Sequence, residues 1–137
     1  MPSGGCFCNK IRLSFTGDIE GHVLCHCLDC RKISGGTFSD NIVVLDSNFK
    51  LESGTPKTIS KIADTGNKVT SHFCGDCGTT LFRTGASFGD KHVIKAGVLD
   101  DPTWQNENVP KGELFHETRM PWIPKIDDAA QVTKMGN

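Results

Sequence analysis

Three cysteines fall within six residues in LCHCLDCRK, residues 24–32. Cys25, Cys27 and Cys30 are soft sulfur donors close enough to meet at one point, which is the chemistry of a thiophilic metal such as zinc. Two further pairs accompany them. Cys6 and Cys8 form a CxC, and Cys74 and Cys77 form a CxxC within FCGDCGTTLF. A CxxC followed by glycine between two strands has the form of a zinc knuckle, whose turn presents both sulfurs to one metal. Gly78 can take the backbone angles that aim amides at a thiolate. The chain has seven cysteines, and an odd count argues against a closed disulfide framework. Bridges inside the CxC pairs would also be tight, strained rings.

Structural zinc is held by four ligands, whereas catalytic zinc keeps three and an open position. Seven cysteines divide most simply into Cys6, Cys8, Cys74 and Cys77 as a closed set, and Cys25, Cys27 and Cys30 as an open one. Spacing alone also permits Cys6 and Cys8 to join the three-cysteine cluster. Three thiolates leave a bound zinc with net negative charge, a weak Lewis acid toward water and a good match for another thiol. Holding a thiol as thiolate beside an electrophile points to forming or breaking a carbon–sulfur bond.

The elements that must position these sulfurs read as strands. Residues 11–15 alternate apolar and polar before a turn at Thr16-Gly17-Asp18, and residues 22–24 lead into the cluster. Residues 38–45 are rich in β-branched side chains, and residues 49–52 alternate up to Ser53-Gly54. Residues 58–63 and 68–73 flank a turn at Asp64-Thr65-Gly66-Asn67 and run into the CxxC. Residues 79–83 leave it, and residues 92–96 and 113–115 are shorter strands. The tail from Asp127 is expected to form a short helical turn or to fray. Many short strands separated by turns predict a mainly β protein, and 137 residues predict one domain spanning 1–137.

Net charge is −1, without the basic excess of a nucleic-acid binder, so no nucleic-acid partner is expected. No apolar run is long enough for a membrane span, and MPSGGCFCNK lacks the apolar core of a signal peptide. The expected location is cytoplasmic, where thiols stay reduced.

Taken together, SGGCFCNKIRLSFTG, CHCLDCRKISGGTF, HFCGDCGTTLF and ELFHETRMPW resemble the glutathione-dependent formaldehyde-activating enzyme family, also called the centromere protein V domain family. The likeness runs from Gly4 to about Trp122 and matches all seven cysteines in order. It implies a zinc-binding, mainly β fold of the Mss4-like (β-tent) kind, with short antiparallel sheets and a zinc knuckle. It also implies two zinc ions, a structural one on Cys6, Cys8, Cys74 and Cys77 and a catalytic one on Cys25, Cys27 and Cys30. In the founding activity, glutathione adds through its thiol to formaldehyde and gives S-hydroxymethylglutathione, and the family is generally described as carbon–sulfur lyases.

Several other residues are candidates for the site. Arg31, with Lys32, could pair with the anionic cluster or a substrate carboxylate, or form a solvated surface pair. His26, between two ligand cysteines, could donate from behind the metal or shuttle a proton. Ser34 and Gly35, with Gly36, match the family's SG turn and serve backbone geometry or substrate contact. Arg119 could clamp a carboxylate or make a structural ion pair. Trp122 is expected in the core, His72 on the surface or in strand pairing, and Asp29 in a turn or beside a thiolate. The chain has no tyrosine, so proton transfer falls to His, a carboxylate, Lys, Ser, Thr or water. The alternatives to an enzyme acting on a small thiol such as glutathione are a zinc-stabilised protein-binding module of the same fold and a redox or chaperone-like role for the thiols. A fourth side-chain ligand at the three-cysteine cluster, with no adjoining pocket, would favour the binding module.

Overall fold

A computed structural model describes residues 1–63 and 66–134. Two sheets build it. The smaller has three antiparallel strands in the order β1 (Ser3–Gly5), β2 (Arg12–Phe15) and β5 (Phe49–Ser53). The larger has eight strands, which also include β3 (Gly21–Cys25), β4 (Ser39–Leu45), β6 (Lys57–Ile62), β7 (Lys68–Phe73), β8 (Thr80–Gly85), β9 (Lys91–Lys95), β10 (Gly112–Leu114) and β11 (Ala130–Val132). Their order is β11-β10-β3-β4-β9-β8-β7-β6. Two short helices, α1 (Leu28–Ser34) and α2 (Pro102–Glu107), complete the set with several 3₁₀ turns.

Most strands lie where the sequence pattern placed them and bury one face, whereas β6 is exposed along its whole length. Leu13 and Phe15 of β2 meet Ile42 and Val44 of β4, Phe82 of β8 and Ile94 of β9 in a single core between the sheets. These side chains are 0–4 % exposed, and burial of this kind is the main stabilising term. The opposite face of the large sheet carries Cys25, Asn41, Val43, Val93, Lys95 and Arg83, brought into line by the pairs Val23↔Asn41, Asn41↔Lys95, Val43↔Val93 and Val93↔Arg83. Period-two alternation therefore separates the core from the chemistry.

Several expectations are corrected. The large sheet is mixed, because β10 pairs parallel to both β3 and β11. The tail contributes β11 where a helical turn or fraying was expected, and residues 135–137 of that tail lie outside the described residues. Of the turn expected at Asp64-Thr65-Gly66-Asn67, Asp64 and Thr65 also lie outside them. Trp122 is 70 % exposed and belongs to no core: it sits in a surface turn closed by the Ile123 amide donating to the Met120 carbonyl. β1 and the two helices were not anticipated.

The parallel end of the sheet is locked by Glu113, which is fully buried. Its carboxylate accepts from His26 Nε2 at 2.8 Å, Gln131 Nε2 at 2.7 Å and the Ile126 amide at 2.9 Å, with Arg119 at 3.4 Å. Arg119 also bonds Gln131. His26 is fixed further by its amide donating to the Leu114 carbonyl and by Thr118 Oγ1 donating to its own carbonyl. Glu113 thus ties β10, β11 and the segment between them to the residue lying between Cys25 and Cys27. Burial alone would raise its pKa. The hydrogen bonds from Gln131, Ile126 and His26 and the charge of Arg119 outweigh that and hold it at about 2.

Glu113→Ala leaves several buried donors unpaired and is expected to destabilise the fold by about 3–5 kcal/mol in urea denaturation. The depressed pKa sets the sign of the pH effect. Glu113 stabilises fully above the ordinary carboxylate pKa of 4.5 and loses that contribution as pH falls toward 2. Stability measured from about pH 6 to about pH 3 should fall more steeply in the wild type than in Glu113→Gln.

Candidate metal centres and the adjoining cavity

Two turns build the four-cysteine cluster. In the first, the Cys6 amide donates to the Ile11 carbonyl and the Ile11 amide donates to Cys6 Sγ at 3.3 Å. In the second, the Gly78 amide donates to the Cys74 carbonyl and the Cys77 amide approaches Cys74 Sγ at 3.5 Å, with Gly78 at φ 81°. That left-handed angle is the one glycine adopts without steric cost. The Phe7 amide donating to Thr79 Oγ1 joins the two turns. The sulfurs of Cys6, Cys8, Cys74 and Cys77 all lie within 4.8 Å of one another, Cys6 to Cys8 at 3.6 Å and Cys8 to Cys74 at 3.8 Å. Tetrahedral zinc with bonds of about 2.3 Å separates its sulfurs by about 3.8 Å, so this donor set fits zinc. None of the seven cysteines is disulfide-bonded.

The second cluster sits where β3 ends and α1 begins. Cys25 is the last residue of β3, Cys27 caps α1 with its sulfur accepting from the Cys30 amide at 3.2 Å, and Cys30 lies in the first turn. Gly35 ends the seven-residue α1 in left-handed backbone, its amide donating to the Arg31 carbonyl. The strand end and the helix start hold the three sulfurs within 4.8 Å of one another. No His, Asp, Glu or further Cys joins them among the described residues. Three thiolate donors without a fourth side chain suit zinc with an open position. Hydrogen bonds from Cys25 and Cys27 push the Cys30 thiol down, aided by the charge of Lys95, while Cys27 and Cys30 push Cys25 up.

A cavity of about 290 Å³ opens on Cys25 and Cys30. Its polar wall is Asn41, Arg83, Ser87, Lys91 and Lys95, and Phe88 of the 3₁₀ turn Ala86–Phe88 also lines it. Lys95 donates to Asn41 Oδ1 at 2.7 Å, and Arg83 Nε donates to Ser71 Oγ at 3.2 Å. Burial lowers the Lys95 pKa, partly opposed by the attraction of Cys30. Among the described residues, no acid lines the cavity.

The other candidates are placed differently. Arg31 and Ser34 project from α1 and, like Gly35, do not line the cavity; Ser34 Oγ accepts from the Gly36 amide. His26 lies behind the cysteines on Glu113, and Arg119 joins the same buried network. Asp29 meets Lys61 of β6 at 2.6 Å. His72 is half-buried on β7, stacked on Phe82 at 4.3 Å and bonded to Thr84. Asn41, Arg83, Lys91 and Lys95 were not singled out from sequence. The available signal was the alternation Lys91-Val93-Lys95, which puts two cations on the face opposite Ile94.

Comparison with known proteins agrees with this geometry. No curated protein matches the chain. A crystal structure of a Rhodobacter sphaeroides protein, from structural genomics, shares the fold at a TM-score of 0.58 with 17 % identity, covering 79 % of this chain and 97 % of the other. The profile of the glutathione-dependent formaldehyde-activating enzymes matches residues 1–118, from β1 through both cysteine clusters and the cavity to the turn after β10. This chain therefore belongs to the glutathione-dependent formaldehyde-activating enzyme family.

Proposed function

We propose that the protein is a zinc-dependent carbon–sulfur lyase that makes or breaks a C–S bond between a small thiol, glutathione or a relative of it, and an electrophilic carbon. The observation that carries this reading is the open three-sulfur cluster facing a cavity. Cys25, Cys27 and Cys30 bring no fourth side chain among the described residues, and two of them form part of the cavity wall. A closed cluster without a cavity would instead suit the protein-binding module.

Cys25, Cys27 and Cys30 would hold the catalytic zinc, and Cys6, Cys8, Cys74 and Cys77 a structural one. When bound to the three-cysteine cluster, zinc supplies an acceptor for a thiol's sulfur and favours its thiolate form. With an aldehyde as electrophile, the new bond joins sulfur to the carbonyl carbon while the C=O π bond breaks. The thiol's proton ends on the former carbonyl oxygen, giving an S-hydroxyalkyl product. Lys95 lines the cavity within charge interaction of all three sulfurs, and its ammonium can steady the negative charge that develops on that oxygen. Asn41 holds Lys95 in place. Glu113, through His26, fixes the backbone between Cys25 and Cys27, so His26 acts here as a positioning residue. Val23, Val43 and Val93 keep the floor of the cavity apolar, which strengthens those interactions.

Cys27→Ser is expected to reduce zinc from two to about one per chain and to lower glutathione–formaldehyde adduct exchange by more than the 10–100-fold typical of outer-shell changes at metal sites. Exchange spectroscopy reads the rate directly, and full turnover in this variant would contradict the proposal. Cys74→Ser removes a ligand from the set that ties the N-terminus to β7 and β8. Its melting temperature should therefore fall well below that of Cys27→Ser. X-ray absorption supplies the third check. Glutathione added to the zinc-loaded protein should raise the average from about three and a half sulfurs per zinc to four, and an unchanged sulfur count would refute thiol binding at the open site.

A further inference from the structure

A second cavity, of about 500 Å³, opens where β3 and β10 begin, whereas the three-cysteine cluster sits at the other end of β3. Its apolar wall is Val23, Val109, Leu114, Ala130 and Val132, together with Trp104 of α2. Val23 and Leu114 line the first cavity as well. Among the described residues, no cysteine lines the second one.

One buried polar side chain is built into this wall. His22 lines the cavity and is 6 % exposed. Its Nε2 meets Asp40 Oδ1 at 2.7 Å, and its ring lies against the Trp104 indole with centroids 5.2 Å apart. The Lys111 amide, donating to the His22 carbonyl at 2.8 Å, fixes the backbone. A carboxylate only accepts, so Asp40 places the proton of the neutral ring on Nε2 and leaves a lone pair on Nδ1. Among the described residues, Nδ1 makes no hydrogen bond. It is not sealed in either: the fully buried side-chain nitrogens without a partner are His26 Nδ1 and Arg119 Nε. A histidine that served packing alone would have this acceptor paired or closed off. Here it stays open in the wall of a cavity.

We infer that this cavity binds an uncharged aromatic ring carrying an N–H or O–H donor, an indole or a phenol, with the donor on His22 Nδ1 and the ring beside Trp104. The apolar wall favours a ring over a sugar or an ion, because burying apolar surface is what it can reward. Trp104 supplies an aromatic partner. The single open acceptor selects for a donor: a ring without one displaces water from Nδ1 and leaves it unpaired. Charge at the mouth disfavours an anion, since the exposed Glu20 and Glu107 outnumber Lys111. The site stands apart from the thiol chemistry and does not depend on it.

Titration of the ¹⁵N-labelled, zinc-loaded protein with indole and with 1-methylindole, followed by NMR, tests this. The two probes share a ring and differ in the one N–H donor. Indole should shift the His22 ring nitrogens and the Trp104 indole N–H. It should bind about tenfold more tightly than 1-methylindole, the effect of one hydrogen bond in an apolar wall. Indole-3-acetate, which adds a negative charge, should bind no more tightly than indole. His22→Phe removes the acceptor, keeps a ring against Trp104 and should bring the indole and 1-methylindole affinities together. Melting temperature establishes that the variant is folded, and the wild-type ratio decides the question without it. Equal binding of the two probes by the wild type refutes the inference. So does an indole preference that survives in His22→Phe. Shifts confined to Asn41, Phe88 and Val93 of the first cavity overturn it as well, as does the absence of any shift up to the solubility limit of indole.

Discussion

Register in the eight-stranded sheet is the constraint on which everything else depends. Side chains alternate between its two faces, so one residue of slip in β4 or β9 would exchange Ile42, Val44 and Ile94 for Asn41, Val43 and Lys95. The core would then receive a lysine and an asparagine, and the cavity would fill with isoleucine. Because the first exchange costs several kcal/mol, burial of the apolar face against β2 and β5 sets the register. The same burial places Lys95 and Arg83 opposite the cysteines without any interaction between those polar groups having to select it. The chemistry of the site is thus positioned by the packing on the other side of the sheet.

The two cysteine clusters solve different problems. Cys6 and Cys8 lie far along the chain from Cys74 and Cys77, so a metal there closes a long loop and stabilises the fold by constraining the unfolded chain. The three-cysteine cluster closes only a six-residue segment, which a strand end and a helix start already arrange. A local cluster contributes little to chain topology, so it can leave one position open without weakening the fold. What it needs is support from behind. Glu113 and His26 provide that through contacts spanning 87 residues of sequence.

The parts of this arrangement that were legible in the sequence are those written locally. Alternation and β-branched runs revealed β2 to β10 in outline, most of them strands that bury one face, and β6 too, although it is exposed along its whole length. The cysteines divided correctly into four and three because ligand counts are discrete. The parallel pairing of β10 with β3 was hidden: its signal is a contact between distant segments, and β10 is three residues long. β11 was missed for the same reason. Trp122 misled because a large aromatic usually signals a core, whereas this one sits in an exposed turn. Glu113 read only as a strand residue, since nothing nearby in sequence announces the donors that converge on it. Arg83, Lys91 and Lys95 are ordinary charges on strands until the register sets them around one cavity.

Charge balance carries the reading one step further. Zinc on three thiolates has one net negative charge, and Lys95, close to all three sulfurs, offsets it. The half-buried Lys95 ammonium is costly unless something negative lies nearby, so the loaded cluster and Lys95 stabilise each other. That leaves Arg83 and Lys91 as two further positive charges in a wall that shows no acid among the described residues. A thiolate taking the open position would bring to this wall a negative charge that its own side chains do not supply.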